Sequence, residues 1–187
     1  ITVIETPRSQ APEEPEHMDL DILFEDEDIL VVNKPPGLVV HPGAGNPKHT
    51  LMHGMLAHHP NAAHLPRAGI IHRLDKNTSG ALMVAKNEQS LHSLTLALKN
   101  KAVKRHYLAV VSKSLYRRQT ISAPVGRHPS KRTLMAVTEK GKEAITHFTV
   151  KETFARHTLL SVQLETGRTH QIRVHFAHKG FPILGDP

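Results

Sequence analysis

The feature that most limits how this chain folds is its cadence of short apolar and β-branched runs, broken again and again by proline, glycine and charged turns. Leu20–Phe24 and Ile29–Asn33 flank the acidic turn Glu25–Asp28 and predict strand, turn, strand. Lys34-Pro-Pro-Gly37 stops the second strand, Leu38–Val40 resumes, and His41-Pro-Gly-Ala-Gly45 breaks the chain again. Ala81–Ala85, Val103–Val111, Thr120–Val125, Leu134–Val137, Ala144–Thr153 and Thr158–Glu165 read as further strands. Helical spacing appears in three places. Thr50–Ala57 places Leu51, Met55 and Leu56 on one face, and Glu88–Lys101 sets Leu91, Leu94 and Leu98 at i, i+3 and i+7 ahead of a basic last turn. The third runs from an N-cap at Thr169 to about His178, with Gly180 as its stop. Without regular strand and helix alternation, this pattern predicts an α+β domain on a mixed, mostly antiparallel sheet with flanking helices.

Ile1–Ile4 reads as one more short strand. Thr6–Glu16, with three prolines and three glutamates, has too little apolar content to fold alone and reads as a linker. Residues 1–16 are therefore expected to be the tail of a preceding domain plus its linker, and 17–187 one domain. The apolar run Phe181–Leu184 so close to Pro187 predicts that this domain is cut short at its C-terminal end.

Charge is divided unevenly. Residues 1–33 carry ten Asp and Glu against one Arg, whereas the remaining 154 residues carry 23 Lys and Arg against seven acids. A body that basic favours a polyanionic partner, of which a phosphate backbone is the commonest. The absence of cysteine removes disulfides, thiolate nucleophiles and cysteine-ligated zinc. No apolar run approaches the roughly 20 residues of a membrane span and no export signal is visible, so the expected location is the cytoplasm.

Against this basic background one acid stands apart. Between Asp28 and Glu88 the only carboxylate is Asp75, in Ala68-Gly-Ile-Ile-His-Arg-Leu-Asp-Lys-Asn-Thr-Ser-Gly80, where Arg73 and Lys76 flank it. Neighbouring cations favour its ionised form. The glycines and Asn77-Thr-Ser between two apolar runs predict a tight loop, a common way to present a catalytic carboxylate. The competing reading is a loop aspartate paired with an adjacent arginine. His72-Arg-Leu-Asp75 is not a kinase catalytic loop, because Leu74 separates the acid from His-Arg and no glycine-rich phosphate loop accompanies it.

Thr166-Gly-Arg-Thr-His-Gln-Ile-Arg-Val-His175 is the second dense polar segment. It turns at Gly167 into a helix whose N-terminus, with Arg168, suits a phosphate. Arg173 falls on the same helical face as His170 and Ala177. His175 and His178 are spaced to share a face, but no carboxylate stands beside them, so no metal site is expected. Tyr107, one of two tyrosines, is either a core residue or a platform on which a base stacks.

Four segments together resemble the successive motifs of the RluA-type RNA pseudouridine synthases, in the family's order. They are Asn33-Lys-Pro-Pro-Gly37, His72-Arg-Leu-Asp-Lys-Asn-Thr-Ser-Gly80, Lys104-Arg-His-Tyr-Leu-Ala109 and Leu164-Glu-Thr-Gly-Arg-Thr-His-Gln-Ile-Arg-Val-His175. The resemblance runs from about residue 20 to the end, and the second and fourth segments are long enough to be specific. The segments between them look closest to the family member that modifies large-subunit ribosomal RNA. The resemblance implies Asp75 as the catalytic aspartate, Tyr107 as the active-site tyrosine and Arg173 as the arginine that pairs with Asp75. Arg73 then occupies the space of the displaced nucleotide, and Lys34, Arg168 and His170 are expected RNA contacts. The implied fold carries a central RNA-binding cleft, and a small RNA-binding domain precedes it. The implied reaction isomerises specific uridines to pseudouridine after base flipping, with no cofactor, on 23S-type ribosomal RNA, by a monomer. Other readings are a non-catalytic basic RNA-binding domain, a synthase acting on tRNA, and a hydrolase using Asp75, the last weakened by the lack of a second carboxylate nearby.

Overall fold

The structure, a computed structural model, describes residues 14–186. The strand expected at residues 1–4 and most of the expected linker lie outside them. Backbone packing divides the chain into two compact units, one ending at Leu96 and the other beginning at Ala97.

The first unit is built on three antiparallel strands, β1 (Ile22–Glu25), β2 (Ile29–Lys34) and β3 (Gly80–Ala85), in the order β1-β2-β3. The two-residue period decides what is inside. Leu30, Val32 and Lys34 share the buried face of β2, opposite Val84, Leu82 and Gly80 of β3. Helix α1 (Leu51–His58) buries Leu51, Met55 and Leu56 as its apolar positions require. Between the helix and the Asp75 loop the chain forms two 3₁₀ turns, Pro60–His64 and Pro66–Gly69. Helix α2 (Glu88–Lys99) follows β3. The hairpin end is tied down by Glu25, whose carboxylate receives Lys86 Nζ at 2.9 Å and meets His58 Nε2 at 3.0 Å.

The second unit carries a four-stranded antiparallel sheet, β4-β9-β8-β5, from β4 (Arg105–Val111), β5 (Gln119–Ser122), β8 (Ile145–Thr153) and β9 (Thr158–Leu164). A two-stranded sheet pairs β6 (Val125–Arg127) with β7 (Met135–Val137). The expected strand Thr120–Val125 is thus two strands in different sheets, because Pro124 lacks the N–H that a continuous ladder needs. Val111, Ile121, Phe148, Leu160, Val162, Phe176 and Phe181 form the core. Three of them pack ring against ring, with Phe148 5.4 Å from Phe176 and 5.8 Å from Phe181. Helix α3 (Gln171–His178) supplies Phe176.

All described strand pairs are antiparallel, and an isolated parallel bridge joins Val39 to Thr50. The α+β architecture expected from the sequence is the one observed.

Candidate active site

In the first unit the path to Asp75 begins with Arg67, Ala68 and Gly69, all left-handed, with φ of 53°, 51° and 78°. Gly69 is required there, because a Cβ would stand 1.9 Å from the carbonyl oxygen of Ala85. Ile70 then bridges to Val84, and Leu74 is buried. Between them His72 accepts the backbone N–H of Met83 at Nε2, at 3.0 Å, which places the ring proton of its neutral form on Nδ1. The segment is fastened to β3 at 70 and 72 and seated in the core at 74, so Asp75 emerges from a rigid support.

Asp75 is the first residue of a β-turn whose carbonyl accepts the Thr78 N–H at 3.0 Å. Aspartate is favoured at that position. Its side chain is partly buried, whereas those of Arg73 and Lys76 are exposed. The Lys76 carbonyl accepts the Gly37 N–H at 2.8 Å and Lys34 Nζ at 3.0 Å. Lys34 also donates to the carbonyls of Pro35 and Leu38, each at 2.8 Å, and is fully buried. Burial pushes its ammonium below the usual lysine range, and the Asp75 charge pulls it back.

Lys34 therefore departs from the expectation of an RNA contact. It shares the inward face of β2 with Leu30 and Val32, so its charge is held by three carbonyls and cannot reach a phosphate.

In the second unit Tyr107 sits in β4 opposite Val162, partly buried, with its ring against the core. The polar segment that enters α3 proves largely to be scaffold. The Ile145 N–H is accepted by Thr166 Oγ1, which donates to Gln171 Oε1 at 2.9 Å. Gln171 Oε1 also accepts the Arg168 N–H, and its amide nitrogen donates to the Ile145 carbonyl and to Thr146 Oγ1, each at 3.0 Å. Thr146 Oγ1 in turn lies 2.9 Å from His175 Nδ1, and His175 Nε2 reaches the Ala123 carbonyl at 2.9 Å. Donation to that carbonyl fixes the imidazole proton on Nε2, and burial lowers the ring's pKa. Both His175 nitrogens are engaged, which leaves no lone pair for the metal pairing with His178.

The N-cap of α3 is His170, left-handed at φ 55°, and not Thr169. The Gln171 side chain, in the first turn of the helix, accepts the Arg168 N–H three residues upstream and so fixes the chain that enters it. Arg168 also anchors Nε on the Glu143 carbonyl at 2.9 Å. Arg173, partly buried, donates from Nε to Asp186 Oδ1 at 2.6 Å.

Of the expected site residues, Asp75, Arg73 and Lys34 thus belong to the first unit, and Tyr107, Arg168, His170 and Arg173 to the second. Sequence reasoning passed over Thr166, Gln171, His72 and Asp186. Gln171 had a readable signal, a long amide at the first turn of a helix, where backbone N–H groups need acceptors.

A family model described as RNA pseudouridylate synthase matches residues 28–178. The chain belongs to that family. A protein of Xanthomonas campestris pv. campestris named ribosomal large subunit pseudouridine synthase D is 50% identical over 185 residues, 99% of this chain and 55% of that protein. One of Escherichia coli (strain K12) with the same name is 50% identical over 174 residues, 93% of this chain and 53% of that protein. The chain spans about half the length of these pseudouridine synthases. Among solved structures, human RNA pseudouridylate synthase domain containing 1 superposes with a TM-score of 0.73 at 29% identity, over 90% of this chain and 68% of that one. Human RNA pseudouridylate synthase domain containing 4 gives 0.70 at 25% identity, over 88% and 67%. The family match takes in Asp75, Tyr107 and Arg173. Among the described residues, no helix is long and apolar enough to cross a membrane.

Proposed function

We propose that this chain is the catalytic part of a pseudouridine synthase that isomerises specific uridines of large-subunit ribosomal RNA, with Asp75 as its catalytic carboxylate. The observation that carries the reading is the Asp75 turn: a lone acid in a basic stretch, partly buried and held from below by β3 and by Lys34. Relatives of about half identity, named as large-subunit enzymes, supply the substrate class.

The reaction breaks the N1–C1′ bond of uridine, rotates the uracil and joins C5 to C1′. The C5 proton leaves and N1 ends protonated, so atoms balance and neither cofactor nor energy source is needed. A uridine must first leave its stack, at a cost of a few kcal/mol that is least in a loop. Asp75 acts on the sugar as nucleophile or base. Arg173 serves as the carboxylate's guanidinium partner, and Tyr107 stacks on the detached uracil. Arg73, exposed beside Asp75, fills the space the nucleotide vacates, and Arg168 and His170 contact the RNA. The same reading places the protein in the cytoplasm, acting as a monomer.

The test is incubation of the chain with uridine-labelled ribosomal RNA and with tRNA, followed by nucleoside analysis. Pseudouridine in ribosomal RNA from the wild type but not from Asp75→Asn, with RNA binding kept within about threefold, is the expected result. Product from Asp75→Asn, binding without product from the wild type, or product in tRNA alone would each refute it.

A further inference from the structure

We propose that the cavity beside the loop at residues 43–49 is a second nucleotide subsite, which takes an RNA nucleotide next to the flipped uridine and holds its phosphate at Lys48 and His49. The inference rests on the reading of Asp75 as the group that acts on that uridine.

Three observations meet at this cavity. The first is its size and make-up. It encloses about 450 Å³, within the range of small-ligand sites. Val39 and Pro47 give it apolar walls against which a base can lie, and Asn46 adds an amide with a donor and an acceptor side by side. The wall is held on both sides: Gly43 and Asn46 exchange backbone hydrogen bonds at 3.1 and 3.0 Å, and the Val39 carbonyl accepts the Leu51 N–H at 2.8 Å. The second is its place. Gly37, which also lines the cavity, donates its N–H to the carbonyl of Lys76, the residue after Asp75, so the cavity and the Asp75 turn share a wall. A uridine that leaves its stack uncovers the base beside it, and splayed bases are what proteins read in single-stranded RNA. The third is the chemistry of the rim. Lys48 Nζ donates to Glu14 Oε2 at 2.8 Å, while Glu16 accepts the His49 N–H at 3.2 Å and lies 2.6 Å from His49 Nδ1. Two oxyanions of the chain itself thus already occupy the rim, in positions that a phosphate would take over.

The experiment uses the chain with a stem-loop fragment of large-subunit ribosomal RNA that contains a target uridine. It reads affinity, its salt dependence, pseudouridine formation and thermal unfolding. Lys48→Ala should weaken binding about three- to fivefold and make the salt slope shallower by about 0.7, whereas Glu14→Gln should tighten binding about two- to threefold. Lys151→Ala, which removes an exposed lysine of β8, controls for net charge. The base is found by deleting it: among abasic substitutions flanking the uridine, one should cost at least about fivefold in wild type and under about twofold in Asn46→Ala. Equal losses from Lys48→Ala and Lys151→Ala overturn the proposal, since only general attraction then remains. No gain from Glu14→Gln also overturns it, as do abasic losses that are the same in wild type and Asn46→Ala. Should Asn46→Ala fail to fold, Asn46→Ser replaces it, and if both fail Lys48→Ala and Glu14→Gln, at exposed side chains, decide alone. A wild type that forms no pseudouridine, or Asp75→Asn that does, would instead sink the reading of Asp75, so the two failures are told apart.

Discussion

Arg173 and Asp186 are joined through Nε and Oδ1 at 2.6 Å, with side chains only 28% and 21% exposed. Asp186 is placed by its own N–H on the Ile183 carbonyl, and that segment is hydrogen-bonded to β4 through Leu184 N–H and Val110 O and bridged from Ile183 to Val111. The arginine on α3 is therefore oriented by a segment fastened to the strand that bears Tyr107. Asp186→Ala leaves a partly buried guanidinium without this acceptor and is expected to cost about 1–3 kcal/mol of stability. Urea unfolding of the two proteins gives that difference, and equal midpoints would show the pair to be inert.

Gly69→Ala tests the support behind the loop that carries Asp75. The new methyl group meets the Ala85 carbonyl on β3, and alanine must also adopt φ near 78°. The two penalties together are expected to destabilise the chain by about 2–4 kcal/mol. A melting temperature within a degree or two of wild type would mean that the approach to Asp75 yields more easily than its backbone implies.

Glu25 gives a pH dependence whose sign is fixed. A hydrogen bond from Lys86 and the neighbouring His58 hold its carboxyl below the ordinary value of 4.5. The stabilisation is thus fully present above that value and is lost as pH falls through the lower folded value. Glu25→Gln should be less stable than wild type at pH 7, by under about 1 kcal/mol, and the gap should close near pH 3. Denaturant midpoints at the two pH values measure it, and a gap that widens in acid would contradict the assignment.

Arg73→Ala separates flipping from binding. Arg73 is exposed beside Asp75, so its loss should reduce extrusion of the target base about tenfold and overall RNA affinity only about two- to threefold. Fluorescence of a 2-aminopurine next to the target uridine reports the first and anisotropy the second. Equal losses in the two would make Arg73 an ordinary phosphate contact.

Much of this was legible before any coordinates, and what was not has physical causes. The strands at 29–34, 80–85 and 158–164 follow from periodicity, because each buries alternate side chains, and the helix at 88–99 follows from Leu91, Leu94 and Leu98 on one partly buried face; Ile22–Glu25, exposed throughout, is placed by its pairing with β2. Lys34 was misread since its chemistry was weighed and its parity was not: counting two from Leu30 and Val32 would have sent it inward. The turns at Pro60–Gly69 leave no periodic trace, and their left-handed residues include Arg67 and Ala68, which nothing in their side chains foretells. Asp75 was visible because it is the sole acid in its stretch. The roles of Thr166, Gln171 and His175 were hidden because a closed hydrogen-bond circuit depends on strands that are distant in sequence.

The residues that lead into the first unit have a consequence for RNA contact of their own. Glu14 reaches Lys48 at 2.8 Å, and the Glu16 carboxylate takes the ring and backbone nitrogens of His49. That corner carries tethered counterions. A phosphate arriving at Lys48 must displace a carboxylate that stays attached to the protein, so this lysine offers less net attraction than a cation without such a partner, although the cations condensed on the nucleic acid are still released. That corner accordingly presents less free positive charge than its Lys48 and His49 would suggest.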